Sequence, residues 1–76
     1  MIKVDDFPAK QSFVAVWEVI NNGTPTLFSA SLHYNAEEDQ HYYYDSGADT
    51  FWPECDHGFH QQFLERIGAT YFVIGE

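Results

Sequence analysis

The alternation of apolar and polar positions divides the chain into four predicted strands and one helix. Residues 12–20, SFVAVWEVI, are rich in β-branched and aromatic side chains and predict a first strand. NNGTP follows. Asn22-Gly23 is hairpin-turn chemistry, and Pro25 has no N–H to give a ladder, so the second strand is expected over 26–34, TLFSASLHY. NAEED reads as a five-residue loop and QHYYYD, residues 40–45, as the third strand of an antiparallel meander. No internal repeat or low-complexity tract is read.

After DSGAD the period changes. Cys55, Phe59, Phe63 and Ile67 recur every four residues, with Leu64 beside them, which predicts a helix beginning at Pro53 and ending at Gly68. Asp56 as the N-cap of a shorter helix is the alternative start. Residues 69–75, ATYFVIG, are too short and β-branched for a second helix and predict a last strand. The expectation is a single α+β domain over residues 1–76, a small antiparallel β-β-β-α-β sheet with one helix packed on one face.

A short turn at Gly23 puts Phe13, Ala15, Trp17 and Val19 on one face with Phe28, Ala30, Leu32 and Tyr34. The five-residue loop then pairs Leu32 with Tyr42 and Ala30 with Tyr44, which leaves Tyr43 as the exposed member of the tyrosine run. It also sets His33 opposite His41. Val14, Val16, Ile20 and Leu27 fall on the second face, which one helix cannot cover. Either the segment around Ile2, Val4 and Phe7 folds over it, or it is an interface, including one between two copies through Val14 and Val16.

Charge changes the picture more than any motif does. Twelve acids oppose three bases, Lys3, Lys10 and Arg66, for a net charge of −9. A surface of that sign repels nucleic acid and anionic membrane, which Lys and Arg would be needed to bind, and attracts basic surfaces. With 45% hydrophobic and 18% aromatic residues the chain nevertheless carries enough for a core, unlike a disordered acidic tail. One cysteine, Cys55, can form no internal disulfide, and MIKVDDFPAK has no apolar signal-peptide core, so a cytoplasmic protein is expected.

Candidate chemistry is sparse. Cys55, His57 and His60 form a C-x-H-x-x-H cluster, with His41 as a further ligand, but the stereotyped two-ligand knuckles of zinc sites are missing; neither a metal nor any other cofactor is expected. Histidines amid carboxylates should titrate above their usual value of about 6.5. Glu54 and Asp56 flank Cys55 and oppose a reactive thiolate, so Cys55 reads as a small buried hydrophobe. No phosphate loop or nucleophile elbow is present, and no enzymatic activity is expected.

What remains is the acidic-aromatic stretch from Asn35 to His57. Glu37, Glu38, Asp39, Asp45, Asp49, Glu54 and Asp56 supply charge, and Tyr43 and Trp52 are the expected anchors, since aromatic residues bury large area with few torsions to freeze. Spaced carboxylates can imitate phosphates toward Arg and Lys. In this very small, acidic, aromatic-rich profile the chain looks like immunity proteins and phage-encoded inhibitors. That likeness implies a non-enzymatic protein that inhibits or modulates a basic partner, such as a nuclease or a nucleic-acid-binding complex. A small zinc domain and a homodimeric module are the alternatives.

Overall fold

A computed structural model describes residues 1–74. The strands are β1 (Ile2–Val4), β2 (Phe13–Asn21), β3 (Thr24–Asn35), β4 (Gln40–Asp45), β5 (Thr50–Trp52) and β6 (Thr70–Val73). They make one sheet in the order β1-β6-β2-β3-β4-β5, with every neighbouring pair antiparallel. Two short helices, α1 (Glu54–His57) and α2 (Gln61–Arg66), join β5 to β6. The expected β-β-β-α-β domain with one packed helix is therefore corrected to a mostly β fold. No helix among the described residues is long and apolar enough to cross a membrane.

Two local causes explain the difference. The helix breaks because Gly58 takes the left-handed conformation, φ 75, and ends α1 after one turn. Ten residues later, after six residues of α2, the chain leaves the helix in a Schellman arrangement: Gly68, φ 73, donates to the Glu65 carbonyl and Ala69 N–H to that of Leu64, at 3.2 and 3.0 Å. The two additional strands, β1 and β5, are three residues each, too short to show a period. The last strand, expected over 69–75, is β6 over Thr70–Val73 and has ended by Ile74; Gly75 lies outside the described residues.

The first face of the sheet carries the core. Phe13, Ala15, Ala30, Leu32 and Tyr71 are buried there and Leu64 of α2 closes over them. Phe59, Phe63 and Ile67 pack against this cluster, so the four-residue apolar period served the core although the helix it predicted is split. Val4 and Phe7 join the same side, Phe7 meeting Phe13, His41 and Tyr71 edge-on at 5.2, 5.8 and 5.8 Å. The N-terminal segment thus does not fold over the second face, where Val14 and Val16 stay half-buried and Phe51 exposed. Tyr71 buries its hydroxyl without a hydrogen-bond partner.

The β3–β4 register differs by one residue from the expected one. The loop is four residues, 36–39, and Leu32 faces Tyr43 rather than Tyr42. A one-residue slip exchanges the two sheet faces. Tyr43 therefore turns inward and packs against the core, correcting its expected exposure, while Tyr42 and Tyr44 take the open face. His33 and His41 part to opposite faces, His33 facing Tyr42 and His41 facing Tyr34.

Beyond Val16, β2 has no β6 partner, and before Ser31 β3 has no β4 partner, so the β2–β3 hairpin projects as a two-stranded ribbon. Its turn, Asn22 and Gly23 at φ 52 and 78, is of type I′. Asn21 and Thr24 close it as a hydrogen-bonded pair, which makes Ile20 and Pro25 the next, non-hydrogen-bonded pair. The nitrogen of Pro25 then points away from β2, and the proline fits inside a strand that was expected to begin after it.

Candidate functional site

The hairpins on either side of β4 are built alike. Asn35 Oδ1 accepts the N–H groups of Glu37 and Glu38, and ten residues on Asp45 Oδ1 accepts those of Gly47 and Ala48. The fourth loop residue is an aspartate in the left-handed region in both, Asp39 at φ 53 and Asp49 at φ 50. Each takes a hydrogen bond from a tyrosine five residues upstream: Tyr34 to Asp39 at 2.6 Å and Tyr44 to Asp49 at 2.8 Å. The chain thus repeats Tyr-Asx-x-x-x-Asp with a period of ten residues, a signal that went unread as a repeat. It would have announced a second hairpin, and with it TFW as a strand.

The construction gives several of the expected partner-binding carboxylates a local task. Asp39 also pairs with Lys10 at 2.5 Å, an exposed bridge that contributes little to stability. Hydrogen bonds from Lys10 and Tyr34 hold its carboxyl below the usual carboxylate range. Glu38 is held low by Tyr42 and Gln40 in the same way, and both groups keep their charge at neutral pH.

The carboxylates do not gather on one patch; they are strung along the β4–β5 edge. Glu37, Glu38 and Asp39 sit at one end of β4 and Asp45 and Asp49 at the other, about 17 Å away at 3.3–3.4 Å per strand residue. Glu54 and Asp56 lie beside the stretch between them. β5 returns antiparallel with Trp52 opposite Tyr43, and α1 then runs back to where His57 donates to the His41 carbonyl. Edge strand β5 carries two exposed aromatics on opposite faces, Phe51 and Trp52. Of the expected anchors, Trp52 is exposed, whereas Tyr43 is half-buried and packs against the core.

Between β5 and α1, on the core side of the sheet, a groove of about 320 Å³ is lined by Tyr43, Trp52, Asp56, His57 and Phe59. Tyr43, His57 and Phe59 form one ring cluster, with centroids 5.0 Å apart for Tyr43–Phe59 and 5.6 Å for the stacked His57–Phe59 pair. The sequence pattern offers Phe59 as a core position and His57 as a metal candidate. Their part in the groove follows from the break at Gly58, which no periodicity signals.

The candidate metal cluster does not assemble. Among the described residues no group of three or more His, Cys, Asp or Glu side chains could hold an ion. Cys55 is exposed rather than buried, and His60 approaches Glu54 at 3.4 Å. His57 uses both ring nitrogens: Nε2 donates to the His41 carbonyl at 3.2 Å, and Nδ1 accepts the Phe59 N–H at 2.9 Å. That pattern requires the neutral ring.

Burial lowers the His57 pKa, the reverse of the rise expected from nearby carboxylates. Above about 6.5, the ordinary imidazole value, folded and unfolded chains both carry this ring neutral. Below it the unfolded chain takes up a proton that the folded ring resists, so folding free energy drains away as pH falls. An NMR titration of the ring protons should place His57 below the ordinary imidazole range. A midpoint at or above that range would overturn the assignment.

Comparison with family models, curated proteins and solved structures finds no match, and the functional reading rests on this geometry.

Proposed function

We propose that the protein is a non-enzymatic binding protein that docks on a basic partner and inhibits or modulates it. The partner presents a Lys- and Arg-rich surface of the kind nucleases and nucleic-acid-binding complexes use to hold phosphates. The observation that carries this reading is strand β5. It lies at the edge of the sheet with Phe51 and Trp52 exposed, Asp49 just before it and Glu54 and Asp56 just after it. Aromatic anchors surrounded by one sign of charge suit a partner of the other sign. The carboxylates extend along an edge rather than crowding one loop, which favours an elongated basic groove as the surface engaged.

Such binding is steered by exposed charge and screened by salt, because the Debye length shrinks from about 10 Å at 0.1 M to about 3 Å at 1 M ionic strength. Affinity for a Lys- and Arg-rich peptide is therefore expected to fall steeply as salt rises. Charge reversal at Glu54 and Asp56, both on the surface, should slow association without unfolding the chain. Binding indifferent to salt, or to that reversal, would refute the reading.

A further inference from the structure

We propose that the groove between β5 and α1 is a guanidinium site that takes an arginine side chain from outside the chain, with Trp52 and Phe59 as ring walls and Asp56 as counter-ion. The proposal rests on the basic-partner reading above and names what that partner inserts.

The lining is specific in kind. Tyr43, Trp52, Phe59 and His57 present four aromatic rings, and Asp56 supplies the single carboxylate. Ring faces carry negative quadrupole density and attract a cation within about 6 Å of the centroid. His57 adds another such face and no positive charge, since its two nitrogens are committed to the His41 carbonyl and the Phe59 N–H. Tyr43, His57 and Phe59 touch one another, and Trp52 joins the lining from β5, where it is paired with Tyr43 in the ladder. The opening left between is about 320 Å³, near the low end of the roughly 300–1,000 Å³ of small-ligand sites.

Among the described residues no lysine or arginine is placed to fill it, and His60 is turned to Glu54 at 3.4 Å. Lys10 is tied to Asp39, Arg66 lies over the Phe63 ring at 5.7 Å, and Lys3 is on β1 at the opposite edge of the sheet. An apolar occupant would cover the Asp56 carboxylate and leave it without a partner, which is costly. A lysine ammonium is strongly hydrated and wants several acceptors, and the groove offers one carboxylate among ring faces. A guanidinium is weakly hydrated, stacks on aromatic planes and grips a carboxylate with two parallel N–H groups. The chemistry of the lining selects arginine.

The test uses the intact chain and a short peptide, neutral but for one central arginine, beside its citrulline and lysine counterparts. Titration followed by NMR should give saturable shifts of the Trp52 indole N–H and of the Asp56 and Phe59 amides with the arginine peptide. The citrulline peptide, which keeps the shape and lacks the charge, should give none. Asp56→Asn, an exposed and conservative change, should weaken binding about tenfold or more through loss of a charge-assisted pair. Trp52→Phe should weaken it less than Trp52→Ala. Equal response to citrulline, equal affinity for the lysine peptide, or indifference to Asp56→Asn would each overturn the site. If the single-arginine peptide fails while salt-sensitive binding of a polybasic peptide persists, this site falls and the basic-partner reading stands. If it binds while polybasic peptides are ignored, the site stands by itself.

Discussion

Phe13→Ala is expected to destabilise the protein by about 3–5 kcal/mol, the usual cost of emptying a buried phenylalanine position. Phe13 is fully buried and meets three rings edge-on or nearly so: Phe7 of the N-terminal segment, His41 of β4 and Tyr71 of β6. It therefore joins elements far apart in the chain through one side chain. Globular domains retain roughly 0.05–0.15 kcal/mol per residue, or about 4–11 kcal/mol for a chain of this length. The substitution takes a large share of that. Thermal unfolding should report it as a fall in Tm of more than about 12 °C, at 4–8 °C per kcal/mol for so small a domain. A loss below about 1 kcal/mol would mean that the aromatic cluster is not the structural centre.

Leu64→Ala is the second large effect, expected at about 2–5 kcal/mol. Helix α2 has six residues, far short of the roughly 12–15 an isolated helix needs in water, so contacts with the sheet must hold it. Leu64 is its one buried residue, at 0% exposure. On the outer surface of the same helix the Gln61–Glu65 hydrogen bond spans four residues, and Gln61→Ala should cost only about 0.2–0.5 kcal/mol. Urea unfolding of the two variants should separate them by this margin. Hydrogen exchange should also show early loss of protection at the Ala69 amide, which is bonded to the Leu64 carbonyl, in the leucine variant alone.

Much of the sheet could be read from residue order because its long strands carry the core on alternate positions. Phe13, Ala15, Ala30 and Leu32 share a face in the sequence pattern and in the structure. Register across the β3–β4 loop could not be read the same way. QHYYYD sets His41, Tyr43 and Asp45 on one face and Gln40, Tyr42 and Tyr44 on the other, at no great difference in apolarity, so the pattern does not choose between neighbouring registers. The turn chemistry of Asn35 and Asp39 does choose, and that is how Tyr43 moved from the surface to the core. The split of the helix is hidden because Gly58 sits within an unbroken four-residue apolar period. The candidate site was legible in part. Trp52 and Asp56 were expected at it, whereas the ring cluster at Phe59 and His57 exists only once the chain folds back after α1.

The proline at position 25 has an effect beyond its own pair. Val19, Ile20, Leu27 and Phe28 leave the projecting ribbon greasy on both sides, and its β3 margin is bare from Thr24 to Ala30. Such a margin ordinarily recruits another extended segment, whose carbonyls seek the free amides along it. Because the ring of Pro25 replaces the outward amide there, an arriving segment meets a missing rung near the tip. Stacking of one molecule upon the next is thus discouraged at the place where oily side chains would otherwise reward it.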